Sequence, residues 1–87
     1  MARYELLIKP SAGRELARLG TKQDRQRIVT AIRGLAEQPR PVGCEKLAGA
    51  DDLYRIRIGD YRVVYEILDA ELVITVVKVG HRRDVYR

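Results

Sequence analysis

The sequence predicts a single α+β domain in which two N-terminal helices pack on one face of a small, mainly antiparallel sheet. Three observations predict this class. Residues 3–9 have the composition of a strand, and residues 12–36 carry apolar side chains at helical spacing. Residues 53–79 contain three runs that are rich in β-branched and aromatic residues. The predicted order is β-α-α-β-β-β, and residues 1–87 are enough for one hydrophobic core but not for two.

The first strand and the first helix are short. The strand "RYELLIK" is predicted to stop at Pro10, which cannot donate to a sheet. Ser11 is then expected to cap a helix over "AGRELARL", in which two leucines lie one turn apart on one face. Gly20 is expected to end this helix.

The second helix begins at Thr21, because Asp24 follows three residues later in a variant of the capping box. Its buried stripe is predicted to consist of Ile28, Val29, Ile32, Leu35 and Ala36. Three basic residues outside the stripe are expected in solvent: Arg25, Arg27 and Arg33. The prolines of "EQPRPVG" end the helix, and "CEKLAGADD" follows as a loop or a short edge segment.

A two-residue turn at Gly59 and Asp60 fixes the register of the next two strands. It predicts the cross-strand pairs Ile58 with Tyr61, Arg57 with Arg62, Ile56 with Val63, and Arg55 with Val64. Alternation places one apolar set towards the helices: Tyr54, Ile56, Ile58, Tyr61, Val63, Tyr65 and Ile67. The opposite face then carries Arg55, Arg57, Arg62 and Val64.

The last strand is predicted from a second two-residue turn at Asp69 and Ala70. A tight turn there would place Arg62 opposite Val77, Val64 opposite Thr75, and Glu66 opposite Val73. The uncovered face of the sheet is then an arginine cluster on a partly apolar floor, with Glu66 at one side.

This cluster suggests an anionic partner. Like charges directly opposite on a sheet cost up to about 1 kcal/mol. The net charge of +5 and the excess of arginine over lysine favour a polyanion, because arginine contacts phosphate in a bidentate manner. Two other interpretations stay open: Glu66 and acidic loop residues neutralise the cluster, or the arginines extend into water. Gly80 allows a sharp turn that would bring the tail to the same face, with His81, Arg82, Arg83 and Tyr86.

Several classes of protein are disfavoured. Cys44 and His81 are the only cysteine and histidine, so neither a disulfide nor a metal-ligand set is expected. No apolar run approaches the about 20 residues of a membrane span. The N-terminus is interrupted by charge too early for a secretory signal, so a cytoplasmic protein is expected. No cofactor is expected either.

The hairpin "LYRIRIGDYRVVYEI" followed by "VVKVGHRRDVYR" resembles the RelE family of toxins from type II toxin–antitoxin modules, within the RelE/ParE superfamily. The resemblance implies a ribosome-dependent endonuclease that cuts mRNA in the ribosomal A site. It implies attack by the 2′-hydroxyl of the RNA, without metal. It also implies a RelB-like antitoxin as partner in a hetero-oligomer.

The resemblance also implies roles for individual residues. Arg62 and Arg82 would stabilise charge in the transition state, and Arg55 and Arg57 would provide electrostatic support and position RNA. Tyr86 would stack on or orient the attacking nucleotide and would assist proton transfer. Two further tail residues complete the expected site: Arg83, as an RNA contact, and His81, as a general acid or base or as a residue that orients the tail.

Two other functions are consistent with the same fold. A ParE-like toxin would inhibit DNA gyrase without cutting RNA. A degenerate toxin would act only as the antitoxin's binding partner. The arginine and tyrosine set and the "GHRRDVY" tail favour the endonuclease.

Overall fold

The sheet has five strands, and both helices cover one of its faces. The computed structural model describes residues 3–83. Its elements are β1 (Glu5–Ile8), α1 (Pro10–Ala17), α2 (Lys22–Gly34), β2 (Glu45–Lys46), β3 (Leu53–Ile58), β4 (Tyr61–Leu68) and β5 (Val73–His81). The strand order is β1-β5-β4-β3-β2; β1 is parallel to β5 and all other pairs are antiparallel. The predicted α+β class is confirmed. No helix within the described residues is long and apolar enough to span a bilayer.

The start of α1 differs from the prediction. The helix begins at Pro10, with Lys9 in the N-cap position and no side-chain capping bond. Ser11 therefore lies inside the helix and is not its cap. Proline is tolerated there because the first helical N–H has no intrahelical acceptor, so nothing is lost when proline lacks it. Pro10 still ends β1, as predicted, at Ile8.

The start of α2 and its buried stripe are as predicted. The Asp24 amide donates to Thr21 Oγ1 at 3.1 Å, and the Thr21 amide donates to Asp24 Oδ2 at 3.4 Å. Four stripe residues are at most 4% exposed: Ile28, Ile32, Leu35 and Ala36. Val29 is half-buried. Ile28, Ile32 and Leu35 pack on the apolar side chains of the sheet and form part of the core, whereas the predicted stripe residue Val29 is not part of it.

The sequence suggested that Arg25 lies in solvent, but in the structure its side chain binds backbone carbonyls. Its Nη1 donates to the carbonyl oxygens of Leu19 and Gly20, at 2.9 and 3.0 Å. These carbonyls follow the end of α1 and have no acceptor role within that helix. Arg25 therefore connects the second helix to the end of the first.

The β3–β4 hairpin has the predicted register. Ile58 lies opposite Tyr61 and Arg57 lies opposite Arg62. Gly59, at the first turn position, has a φ of +59°, which glycine adopts without strain. The apolar set of this hairpin faces the helices and belongs to the core.

The predicted register of β5 is wrong. Residues 69–72 form a longer turn, in which Leu72 has a φ of +55°. Ile67 then lies opposite Ile74, and Val63 lies opposite Val79, with an irregularity that leaves Val77 as an extra residue in β5. Strict alternation after Val76 would have turned a lysine towards the core. The bulge at Val77 turns Val79, which is 1% exposed, inwards instead and leaves Lys78 outside.

Candidate functional site

Arg57 and Arg62 lie directly opposite each other on the face of the sheet that the helices leave uncovered. Arg57 is exposed and Arg62 is half-buried. The cross-strand neighbour of Arg62 on its other side is Gly80, which presents no side chain. The structure thus confirms that the two arginines are neighbours near the tip of the hairpin. It leaves the Arg57 side chain accessible to a ligand.

Arg55 has a different environment from the one expected. It lies on the same face but is only 3% exposed, and it forms an ion pair with Glu45. Its Nε is buried without a hydrogen-bond partner among residues 3–83. The prediction of three open arginines is therefore corrected to a pair, with Arg55 buried beside it. The sequence had left open that Glu66 and acidic loop residues neutralise the cluster, and Glu45, from the edge strand β2 in the predicted loop segment, is the residue that pairs with Arg55.

The tail does not turn at Gly80, so that part of the prediction is wrong. Strand β5 continues through His81, and the chain leaves the sheet only afterwards. The Arg82 amide donates to the Asp60 carbonyl at 2.8 Å, which places Arg82 beside the β3–β4 turn. Arg82 and Arg83 are both exposed. Arg82 therefore reaches the same end of the hairpin as Arg57 and Arg62, whereas Tyr86 lies outside the described residues.

His81 is not brought to the arginines. It lies opposite Tyr61 in the register, and the two rings meet edge to face with centroids 6.0 Å apart. Tyr61 packs against the core side of the sheet, so His81 is on the other side from Arg57 and Arg62. Its Nδ1 accepts from the Arg83 amide at 3.4 Å. These contacts connect His81 to Tyr61 and to the backbone of Arg83.

Tyr61 makes a contact that the sequence gave no reason to expect. Its hydroxyl donates to Asp24 Oδ2 at 3.0 Å. This hydrogen bond, followed by the Thr21 amide, holds the pKa of Asp24 below its ordinary value. The same carboxylate raises the pKa of Tyr61. Gly20, with a φ of +43°, leaves space for the pair, because a Cβ there would overlap the Tyr61 hydroxyl.

A second network lies at the opposite end of the sheet. Arg40 Nη2 and Asp69 Oδ2 are 2.8 Å apart, and the Tyr4 hydroxyl donates to Asp69 Oδ1 at 2.6 Å. The Arg40 guanidinium also lies 4.9 Å from the centre of the Tyr54 ring. This network connects the loop after α2 to the β4–β5 turn, at the end of the sheet that is remote from the arginine pair. It is structural in character.

Arg57 also borders a cavity of about 490 Å³ between α2 and the edge of β3. Strand β2 pairs only with Arg55 and Tyr54, so it leaves the edge of β3 open beyond them. Most of the lining is aliphatic: Ala31, Leu35, Pro41, Val42, Ile56 and Ile58. Within residues 3–83, no three His, Cys, Asp or Glu side chains are grouped so that they could hold a metal ion.

Comparison with known proteins gives one consistent result. The family model described as the ParE toxin of type II toxin-antitoxin system, parDE, matches residues 6–86. The mRNA interferase toxin RelE of Escherichia coli K12 is 32% identical over 81 residues, which are 91% of this chain and 83% of that protein. The archaeal RelE of Pyrococcus horikoshii OT3, solved with RelB, is 31% identical with a TM-score of 0.82, over 98% of this chain and 100% of that one. A chain of the intact E. coli RelBE toxin-antitoxin complex is 31% identical with a TM-score of 0.77, over 90% of this chain and 95% of that one.

The chain belongs to the RelE/ParE superfamily of type II toxin–antitoxin toxins and, within it, to the RelE family. The resemblance predicted from the hairpin and tail motifs is confirmed. The family model is named for ParE, but the relatives at 31–32% identity are RelE proteins, so the gyrase alternative is not favoured.

Proposed function

We propose that this toxin is a ribosome-dependent endoribonuclease that cuts mRNA in the ribosomal A site. The observation that carries the proposal is the arginine pair of Arg57 and Arg62, with Arg82 held at the same end of the hairpin. The name of the E. coli K12 relative, mRNA interferase toxin RelE, supports the same activity.

The reaction proposed for this surface is attack of a 2′-hydroxyl on the adjacent phosphate. The new bond closes a 2′,3′-cyclic phosphate, and the bond to the 5′-oxygen breaks. The 2′-hydroxyl gives up a proton, and the leaving oxygen takes one to become a 5′-hydroxyl. Extra negative charge develops on the phosphorane between these events. Arg62 and Arg82 stabilise this charge as fixed hydrogen-bond donors. Such electrostatic stabilisation is usually the largest single contribution to catalysis, and here it would not require a metal ion.

The remaining residues have supporting roles in this proposal. Arg57, the exposed member of the pair, positions the RNA backbone, and Arg83 adds a contact from the tail. Arg55 does not position the RNA directly, since it is buried, and its ion pair with Glu45 reduces its electrostatic support. His81 orients the C-terminal tail from the other side of the sheet. Tyr86, in the tail, stacks on or orients the attacking nucleotide and assists proton transfer.

The proposal includes the partners and the compartment. A RelB-like antitoxin would cover the arginine surface, which consists of Arg57, Arg62 and Arg82, in a hetero-oligomer. Its release would expose Arg57 and Arg82 to the ribosome and its mRNA. Solved relatives in complex with RelB support this partner. Such a system operates in the cytoplasm, where ribosomes translate.

Arg62→Ala and Arg82→Ala are expected to lower the rate of A-site cleavage by about 10² to 10³, because each removes one donor to the developing charge. Cleavage is measured by primer extension on translated messages after induction of the toxin. Arg33→Ala is the matched control, since Arg33 is an exposed arginine on α2 that is not part of the surface. It should cut at the wild-type rate.

Two outcomes would contradict the proposal. If Arg62→Ala and Arg82→Ala both cut as fast as the wild type, the assignment of the site is wrong. If the wild type leaves messages intact while a parallel supercoiling assay shows trapped gyrase complexes, the protein is a gyrase inhibitor.

A further inference from the structure

Arg82 is held through its backbone, and the segment that holds it surrounds Tyr61. Its amide donates to the carbonyl of Asp60, the residue before Tyr61, at 2.8 Å. The residue before Arg82 is His81, which lies opposite Tyr61 and meets its ring edge to face. Both neighbours that define the position of Arg82 are therefore also neighbours of Tyr61.

Tyr61 is in turn fixed to the helical layer. Its hydroxyl donates to Asp24 Oδ2, and Asp24 is held in place by the capping box at the start of α2. The connection between the helices accommodates this contact, because only a residue without a Cβ at position 20 leaves room for the Tyr61 hydroxyl. A rigid path thus leads from the helix terminus through Tyr61 to the hairpin tip.

We propose that Tyr61 and Asp24 form a positioning pair that fixes the β3–β4 turn and, through it, holds Arg82 in place relative to Arg62. The pair does not touch the RNA. Its consequence for cleavage rests on the proposed function, whereas its effect on the position of Arg82 does not. The effect on cleavage follows because an exposed arginine stabilises a transition state only if it is already in position, and a displacement of about 1 Å can cost about 10²-fold in rate.

The first test measures the position of Arg82 without RNA. Tyr61→Phe keeps the ring and removes the hydrogen bond to Asp24. Hydrogen exchange of the Arg82 amide, followed by NMR in the isolated protein, should become about fivefold faster, as expected when one hydrogen bond is lost. The matched control is Tyr4→Phe, which removes the equivalent bond from tyrosine to aspartate, 2.6 Å long, at the opposite end of the sheet. It should leave the exchange of Arg82 unchanged.

The second test connects the pair to the reaction. In single-turnover A-site cleavage, Tyr61→Phe should lower the rate about tenfold, and Tyr4→Phe should not change it. Added to Arg82→Ala, Tyr61→Phe should cost less than about twofold, because the residue that it positions is gone. Added to Arg57→Ala, it should keep its full effect. A merely structural role would instead give equal losses in both backgrounds.

The outcomes separate this inference from the proposed function. Unchanged Arg82 exchange in Tyr61→Phe overturns the inference, whatever the cleavage assay shows. Faster exchange with a wild-type cleavage rate overturns its catalytic part. Faster exchange in a protein that cuts no mRNA even as wild type supports the positioning pair and refutes the endonuclease.

Discussion

Asp69 shows how much one side chain can hold together in a small domain. It accepts hydrogen bonds from Arg40, in the loop after α2, and from Tyr4, at the start of the described chain. Both bonds favour the charged carboxylate, with the Arg40 contribution the larger, and they hold the pKa of Asp69 below its ordinary value of 3.8. Ionised Asp69 is therefore more stable in the folded protein than in the unfolded chain.

This pKa makes a prediction about acid stability. The pKa of Asp69 is lowered on folding, so its stabilisation is fully present above the ordinary pKa of 3.8 and is lost as the pH falls through the folded value. Arg40→Gln is expected to raise the pKa of Asp69 and to reduce this loss. Carboxyl-carbon NMR titration gives the pKa, and urea unfolding between about pH 6 and about pH 2 gives the stability.

The charge-matched control for this prediction is Arg33→Gln, which removes an exposed arginine that does not contact Asp69. It should leave the titration of Asp69 as it is in the wild type. An unchanged Asp69 midpoint in Arg40→Gln would mean that the ion pair does not determine the pKa.

At the scale of the elements, the connection between α1 and α2 depends on Gly20. This residue has a φ of +43°, and an added Cβ would overlap the side chains of Tyr61 and Asp24. Arg25 closes the same connection by donating to the carbonyls of Leu19 and Gly20. The turn between the helices is thus packed against the tip of the hairpin.

Gly20→Ala is expected to destabilise the fold by more than about 1 kcal/mol, because the backbone conformation disfavours a side chain and the new methyl displaces Tyr61. Gly34→Ala provides a control for which the opposite change in the free energy of unfolding is expected. Gly34 ends α2, and an added Cβ there meets nothing within 4 Å. This change should stabilise the fold by about 0.4–1 kcal/mol. Urea unfolding measures both, and a Gly20→Ala variant as stable as the wild type would refute the packing argument.

The bulge in β5 is the other decisive feature at this scale. It lets β5 present Ile74, Val76 and Val79 to the helices although these positions do not alternate strictly. Glu15 Oε1, from α1, accepts from the Val79 amide at 3.1 Å, just beyond the irregular residue. A helix side chain thus satisfies a backbone donor next to the bulge, as burial requires.

At the scale of the whole molecule, some of the positive charge is paired within the fold and some remains accessible to a ligand. The net charge is +5, but Arg55 and Arg40 are neutralised by carboxylates within the fold. Arg57, Arg82 and Arg83 remain exposed around one end of the hairpin. Contact of these arginines with phosphates would be sensitive to salt.

This distribution predicts how salt affects RNA binding. Binding of a short single-stranded RNA, followed by fluorescence anisotropy, should weaken linearly on a double-logarithmic plot against salt. Arg57→Gln should reduce the slope by about 0.7, the value for one phosphate contact on a single strand. Arg33→Gln removes the same charge elsewhere and should keep the wild-type slope. Equal slopes for all three proteins would show that RNA does not bind at Arg57.

Much of the fold could be predicted from local sequence. Thr21 and Asp24 marked the start of α2, and the apolar spacing identified its buried face. The turn at Gly59 fixed the register of the β3–β4 hairpin. These features depend on neighbouring residues, so the sequence contains the information that they need. The motifs of the hairpin and tail also led to the RelE family.

Other features were decided only by the tertiary structure. Whether Arg55 faces a ligand or a carboxylate depends on Glu45, ten residues away in a segment that the sequence predicted only as a loop or a short edge segment. The register of β5 depends on which of its residues fit the core. Packing of these residues favoured a longer turn and a bulge over a regular strand. His81 and Arg82 are adjacent in sequence, but the pleat and the end of β5 place His81 beside Tyr61 and Arg82 beside the β3–β4 turn. Sequence alone determined the second helix, the β3–β4 hairpin and the arginine pair of Arg57 and Arg62, because these follow from local periodicity and from the turn at Gly59. Only packing between distant segments decided which charges stay exposed, because burial and ion pairing are properties of the folded chain.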